Sequence, residues 1–251
     1  MNKNKLIQIF MRSLLIHAAL NFRRMQNLGF AFTMIPLVKG SKLDPESASA
    51  VMTRHLQMFN THPYLTAPVI GSVVSMEEAS AFGQDAKAVL SVKQGLMGPY
   101  AAIGDTFFWG ALRPCAGIAA AVAAFQGWIV APLIFLLVYT PFHAWIRVGG
   151  FIEGYRKGKL GIEFIRKLNL PRLGVWIRWL SVGLLAGSCV WLFRPADYAA
   201  LINVRAIVIH AAALAVILAC VLMIRKGISQ TYILYIAVVF FLILSMKEYV
   251  L

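Results

Sequence analysis

Asn60-Thr61-His62-Pro63 sets an amide, a hydroxyl, an imidazole and a helix breaker in a row, inside an apolar run that ends on Glu77-Glu78. A second group, Gly104-Asp105-Thr106 with Trp109 a helical turn beyond the acid, interrupts the apolar stretch GLMGPYAAIGDTFFWGALRP at 95–114. Carboxylates and amides grip hydroxyls, and an aromatic face covers the apolar C–H face of a ring, so this inventory suits a polyol ligand. Each group also has a plainer role. Glu77 and Glu78 serve as well to cap a half-helix at the interface, Asp105 as a helix N-cap, Trp109 as an interfacial anchor and His62 as a hydrogen-bonded group at a helix break. A carboxylate at the bilayer centre costs roughly 2.5–3.5 kcal/mol on insertion scales, so acids beside broken apolar helices invite a functional reading. The candidate ligand residues are Asn60, Thr61, His62, Glu77, Glu78, Asp105 and Trp109. The candidate helix breaks that present them are Pro63, Gly98, Pro99 and Gly104.

Other chemistry finds no foothold in the pattern. His55 and His62 lie seven residues apart, which is not zinc-ligand spacing, so no metal is expected. A phosphohistidine needs an exposed imidazole facing a donor domain, and nothing near His62 supplies one. There is no phosphate-binding glycine loop, no nucleophile elbow and no cysteine beside a histidine, so neither a cofactor nor an independent enzymatic activity is expected. Cys115, Cys189 and Cys220 each sit in an apolar run and read as small buried residues.

The elements that must hold these groups belong to a membrane protein. Of 251 residues, 60% are hydrophobic and only 14% charged, with a mean hydropathy of +0.73. The net charge of +14 lies between apolar runs, where anionic headgroups and the positive-inside rule account for it better than nucleic acid does. The spacing predicts an all-α polytopic chain with N-terminal amphipathic helices, re-entrant or broken helices and several transmembrane helices. Residues 1–53 read as an amphipathic membrane-surface region, with one helix over 6–35 ended by Pro36 and another starting at Asp44-Pro45-Glu46. Residues 54–146 read as a broken-helix core and a first full span at 128–146, because Gly/Pro-interrupted apolar segments in succession point to a substrate site. Residues 147–174 form a basic cytoplasmic loop, and 175–251 hold spans at 175–193, 205–224 and 231–246, with 194–204 outside.

The runs NFRRMQNLGFAF (21–32), HLQMFNTHPYLTAPVIGSVVSMEE (55–78) and GLMGPYAAIGDTFFWGALRP (95–114), with GYRKGKLGIEFI (154–165), resemble component IID of the mannose/fructose/sorbose-family sugar phosphotransferase system. The likeness covers roughly residues 7–190. It departs where the family's GPLAGIGDS stands here as GPYAAIGDT, with Tyr100, Ala102 and Thr106 changed. The resemblance implies a bacterial inner-membrane, multi-pass subunit that assembles with a IIC chain into a hetero-oligomer. It implies cytoplasmic IIA and IIB partners that relay phosphate, a hexose-type sugar carried for phosphorylation by IIB, and no phosphorylated residue in this chain. The alternative is a mainly structural subunit that supports a sugar-binding IIC. Membrane lipids are further partners, and nucleic acid is not.

Overall fold

The computed structural model describes residues 1–79, 85–192 and 204–248. Among them the regular elements are all helical, apart from isolated β-bridges joining Asn21 to Met25 and Met25 to Phe59. Contacts group the chain into two compact units, Met1–Ser188 and Cys189–Leu251.

The N-terminal stretch is two helices rather than the single surface helix expected over 6–35. α1 (Lys3–Ser13) is amphipathic, residues 14–26 turn, and α2 (Asn27–Gly40) follows. α2 is apolar on every side and therefore buries itself, with Phe30, Met34 and Leu37 all in the core. Pro36 does not end it. A proline lacks the N–H that would bond the carbonyl four residues back, here that of Phe32. Arg12 fills the gap: its Nη1 donates to the Phe32 carbonyl at 3.1 Å, with the guanidinium 4.4 Å over the Phe32 ring.

α3 (Pro45–His55) starts where the Asp-Pro signal places it, Asp44 accepting from the Ser47 amide at 2.9 Å. α4 (Thr66–Ala79) follows the proline break. The second break is not one. α5 (Ala86–Gly104), a π-helical stretch (Asp105–Leu112) and α6 (Arg113–Phe125) form one continuous helical path through Gly98, Pro99 and Gly104. The wider i→i+5 turns absorb the irregularity, and Pro114, which lacks the N–H of a regular helical bond, follows directly on them.

α7 (Ala131–Lys157) is longer than the expected span. A short 3₁₀ turn (Gly158–Gly161) and α8 (Ile162–Leu168) lead into α9 (Leu170–Leu192). The stretch 147–174, read from its charge as a loop, is thus mostly helical. Its cations Arg156, Lys157, Arg166 and Lys167 occupy the last turns of α7 and α8, where they suit the negative end of the helix dipole. α10 (Val204–Arg225) and α11 (Gln230–Glu248) are helices over the residues where two C-terminal spans are expected, and the connection expected at 194–204 lies almost wholly outside the described residues.

In the first unit α4 crosses α7 backbone to backbone. A Cβ on Gly71 would strike the Phe151 carbonyl, and one on Gly154 would strike that of Pro68. With Gly150 this is the small-xxx-small contact of membrane helices, which rests on close van der Waals approach because lipid offers no hydrophobic drive between helices. Two helical stretches, Ala86–Phe125 and Ala131–Trp191, are long and apolar enough to cross a bilayer of about 30 Å. Outward-facing Leu137, Trp176 and Trp179, each more than 60% exposed, give them a surface that suits lipid.

Candidate functional site

The non-helical segment 56–65 is held from one side by Gln26, a residue of the NFRRMQNLGFAF run that the sequence reading passed over. Its side-chain amide donates to the Thr61 carbonyl at 2.6 Å and accepts from the Thr61 amide at 3.1 Å. Its backbone N–H bonds the Phe59 carbonyl at 2.8 Å, and His17 Nε2 lies 2.7 Å from its Nε2. A buried glutamine thus does for one extended residue what a neighbouring strand would do, satisfying both backbone groups.

His62 lies at the centre of an aromatic box. Its ring stacks on Phe108 at 5.1 Å and meets Trp109 at 4.7 Å and Tyr64 at 4.9 Å. The backbone of the acid-bearing helix comes so close that a Cβ on Gly104 would land on His62 Cβ and Cγ. Gly104 is therefore not a break but the point where the two polar motifs touch. His62 Nδ1 accepts from the Tyr64 amide at 3.3 Å, which places the proton of the neutral ring on Nε2. That Nε2 is buried and has no partner among the described residues, as is true of Thr61 Oγ1. Burial first, then Arg147, His17 and His143, pushes the imidazole down to about 3, so it is a neutral hydrogen-bonding group at physiological pH.

Beside the box, the π-helical stretch turns Asp105, Thr106 and Trp109 outward. Asp105 has helical backbone angles and caps nothing. It forms no ion pair or side-chain hydrogen bond among the described residues. π-Turns in long helices recur at functional sites, where they re-aim side chains without ending the helix. Asn60 is half-buried nearby, its backbone N–H donating to Met97 Sδ at 3.3 Å. The structure therefore brings Asn60, Thr61, His62 and Trp109 into one neighbourhood, with Asp105 next to the glycine that abuts His62.

Glu77 and Glu78 go elsewhere. Glu77 is fully buried and takes both Nε and Nη2 of Arg54, at 3.0 and 3.1 Å, together with His55 Nε2 at 2.8 Å. Burial holds His55 below its ordinary range against the pull of Glu77, so a neutral ring donates to the carboxylate. Next to them, Lys93 is fully buried; its Nζ donates to the His55 carbonyl at 3.1 Å and lies 4.4 Å from the Phe30 ring centre. Glu78 accepts from the Tyr155 hydroxyl at 2.7 Å. Gln57 pairs with Gln94. Pro63 offers its carbonyl to Arg147 Nη2 at 3.2 Å, and Arg147 also lies 4.7 Å over the Tyr64 ring. Arg147 was legible only as the first cation of the basic stretch at 147–174, and nothing in its spacing connects it to Pro63.

A family model described as the mannose/fructose/sorbose family IID component of the PTS system matches residues 1–250. The mannose-specific EIID component of Escherichia coli K12 is 38% identical over 171 residues, which cover 64% of this chain and 60% of that protein. The fructose permease IID component of Bacillus subtilis is 38% identical over 63% of this chain and 58% of its own length. The sorbose-specific EIID component of Klebsiella pneumoniae is 40% identical over 65% and 62%. The matched region thus spans about three-fifths of these relatives. Two solved chains are similar over 99% of this chain and 96% of theirs, each at 27% identity. One, described only as a membrane protein, has a TM-score of 0.72; the other, from a cryo-EM structure of the mannose transporter ManYZ with microcin E492, has 0.60.

Proposed function

This chain belongs to the mannose/fructose/sorbose-family IID components of the phosphotransferase system, and we propose that it works as a multi-pass inner-membrane subunit that forms, with a IIC chain, a path for a hexose-type sugar. Cytoplasmic IIB, supplied by IIA, phosphorylates the sugar as it emerges, and this chain carries no phosphate itself. Burial of His55 and His62 supports that last point, since neither imidazole is open to a donor domain. The observation that carries the reading is the meeting of the two polar motifs: a buried His62 with an unspent N–H donor, against a membrane-length helix whose π-turn exposes Asp105 and Trp109. Donor, acceptor and aromatic face together are what a sugar ring requires. In this reading Asn60, Thr61, His62, Asp105 and Trp109 face the path.

The test is uptake in cells that express the chain with family IIC, IIB and IIA proteins, over a panel of mannose, fructose and sorbose. Asn60→Ala and Asp105→Asn are expected to abolish uptake while the membrane complex is still recovered intact. Normal transport by both assembled variants would sink the direct-contact reading. The second reading, a subunit that mainly supports a sugar-binding IIC, is favoured by Glu77 and Glu78. Both acids are taken up by Arg54, His55 and Tyr155 inside the chain rather than left for a ligand.

A further inference from the structure

Arg147 is a cation within a membrane-length helix that has no anion of its own. It stands ten residues before the end of α7 at Lys157, about 15 Å along the axis. Its partners are the Pro63 carbonyl and the face of Tyr64, which leave most of the five guanidinium N–H donors unused. The titratable groups within electrostatic reach are His17, His62, His143, Tyr64 and Tyr139, and none of them is an acid that could neutralise it. Glu77 is engaged with Arg54 and His55, Glu78 with Tyr155 and Glu153 with Lys157, while the unpaired Asp105 is turned outward on its own helix and makes no ion pair with Arg147. No described carboxylate forms an ion pair with Arg147. His143 Nδ1, another buried polar atom of the same cluster, also has no partner among the described residues.

Ionisable groups inside a membrane are almost always paired, so the missing charge must come from outside the chain. We infer that Arg147 is the socket for a carboxylate side chain of the partner membrane chain, which completes the pair when the two subunits assemble. This rests on the proposed assembly with IIC. The fork of a guanidinium matches a carboxylate in two parallel hydrogen bonds, which fixes orientation as well as charge. A neutral sugar cannot supply the charge. A lipid phosphate would have to descend well below the basic end of α7 to reach it.

The experiment uses the full chain, affinity-tagged and co-expressed with its IIC partner, with recovery of IIC as the readout. Arg147→Gln retains a donor for the Pro63 carbonyl and removes the charge; it should lower recovery at least tenfold while the tagged chain reaches the membrane in wild-type amounts. Arg147→Glu should do the same, and replacing each intramembrane Asp or Glu of IIC in turn by Arg should restore recovery at one position. Wild-type recovery by Arg147→Gln overturns the proposal, including the case in which Arg147→Glu fails to accumulate. Loss of recovery that no partner swap reverses, but that tracks the phosphatidylglycerol content of reconstituted vesicles, assigns the site to a lipid headgroup and also overturns it. If the wild-type chain recovers no IIC at all, the assembly itself is wrong. That failure is distinct from one confined to the Arg147 variants.

Discussion

Glu77 and Asp105 are both carboxylates set in apolar sequence, and the fold treats them in opposite ways. Glu77 is enclosed: Arg54 and His55 close around it, with Lys93 bonded in turn to the His55 carbonyl, and it ties α3 to α4. Asp105 is open: a π-turn aims it outward beside an aromatic box, and no ion pair among the described residues answers its charge. The first arrangement is what a protein does with an acid it needs for cohesion, since a buried charge is tolerable only when paired and hydrogen-bonded. The second leaves an acid for something that arrives later. The difference separates structural from ligand-directed polarity within one membrane chain, although both acids look alike in sequence.

That contrast can be broken in order of expected effect. Glu77→Ala leaves the Arg54 guanidinium without its counter-charge and the His55 Nε2–H without an acceptor, and should destabilise the chain by about 3–5 kcal/mol. Thermal unfolding of the detergent-purified protein reads this, and a wild-type melting curve would end the closed-cluster account. Gly104→Ala forces a methyl group onto His62 and should cost about 1–3 kcal/mol, as overpacking does. The loss should shrink in a His62→Ala background, where two of the three clashing atoms are gone; full additivity would mean that the motifs do not meet as described. Gln26→Ala strands the amide and carbonyl of Thr61, worth about 1–3 kcal/mol, and hydrogen exchange at residues 59–62 should rise with it. Asp105→Asn should leave the melting curve unmoved while uptake is lost. If Asp105→Asn instead melted early, the open acid would be structural after all and the comparison would collapse.

The helices were largely legible in sequence, and their interruptions were not. Asp44-Pro45 announced α3, and Pro63 coincided with a real non-helical segment, because each acts through its own backbone. Pro36 and Pro99 looked like equal breakers and broke nothing. Arg12 supplies the hydrogen bond that Pro36 removes, a tertiary contact that no local pattern contains. The charge run at 147–174 read as a loop because cations mark a water-facing surface, and a helix end is one too. Among the candidate ligand residues, residue type was a fair guide to where polarity lies and a poor one to whom it serves. Glu77 and Glu78 were indistinguishable from Asp105 until Arg54, His55 and Tyr155 were placed in space. Gln26 escaped notice, and Arg147 was counted only as a loop cation, because their partners are the main-chain groups of Thr61 and Pro63, which any residue would present.

By itself the sequence determined that this is an all-α membrane chain, which runs are apolar, where the cations gather and which three motifs carry its family likeness. These follow from composition and periodicity, which every short window displays. Only the tertiary structure decided that Gln26 clamps Thr61, that Gly104 gives way to His62 and that Glu77 is spoken for while Asp105 and Arg147 are not. Pairing is a property of distance, and residues 23, 38 or 84 positions apart come within hydrogen-bonding reach only after the helices have packed.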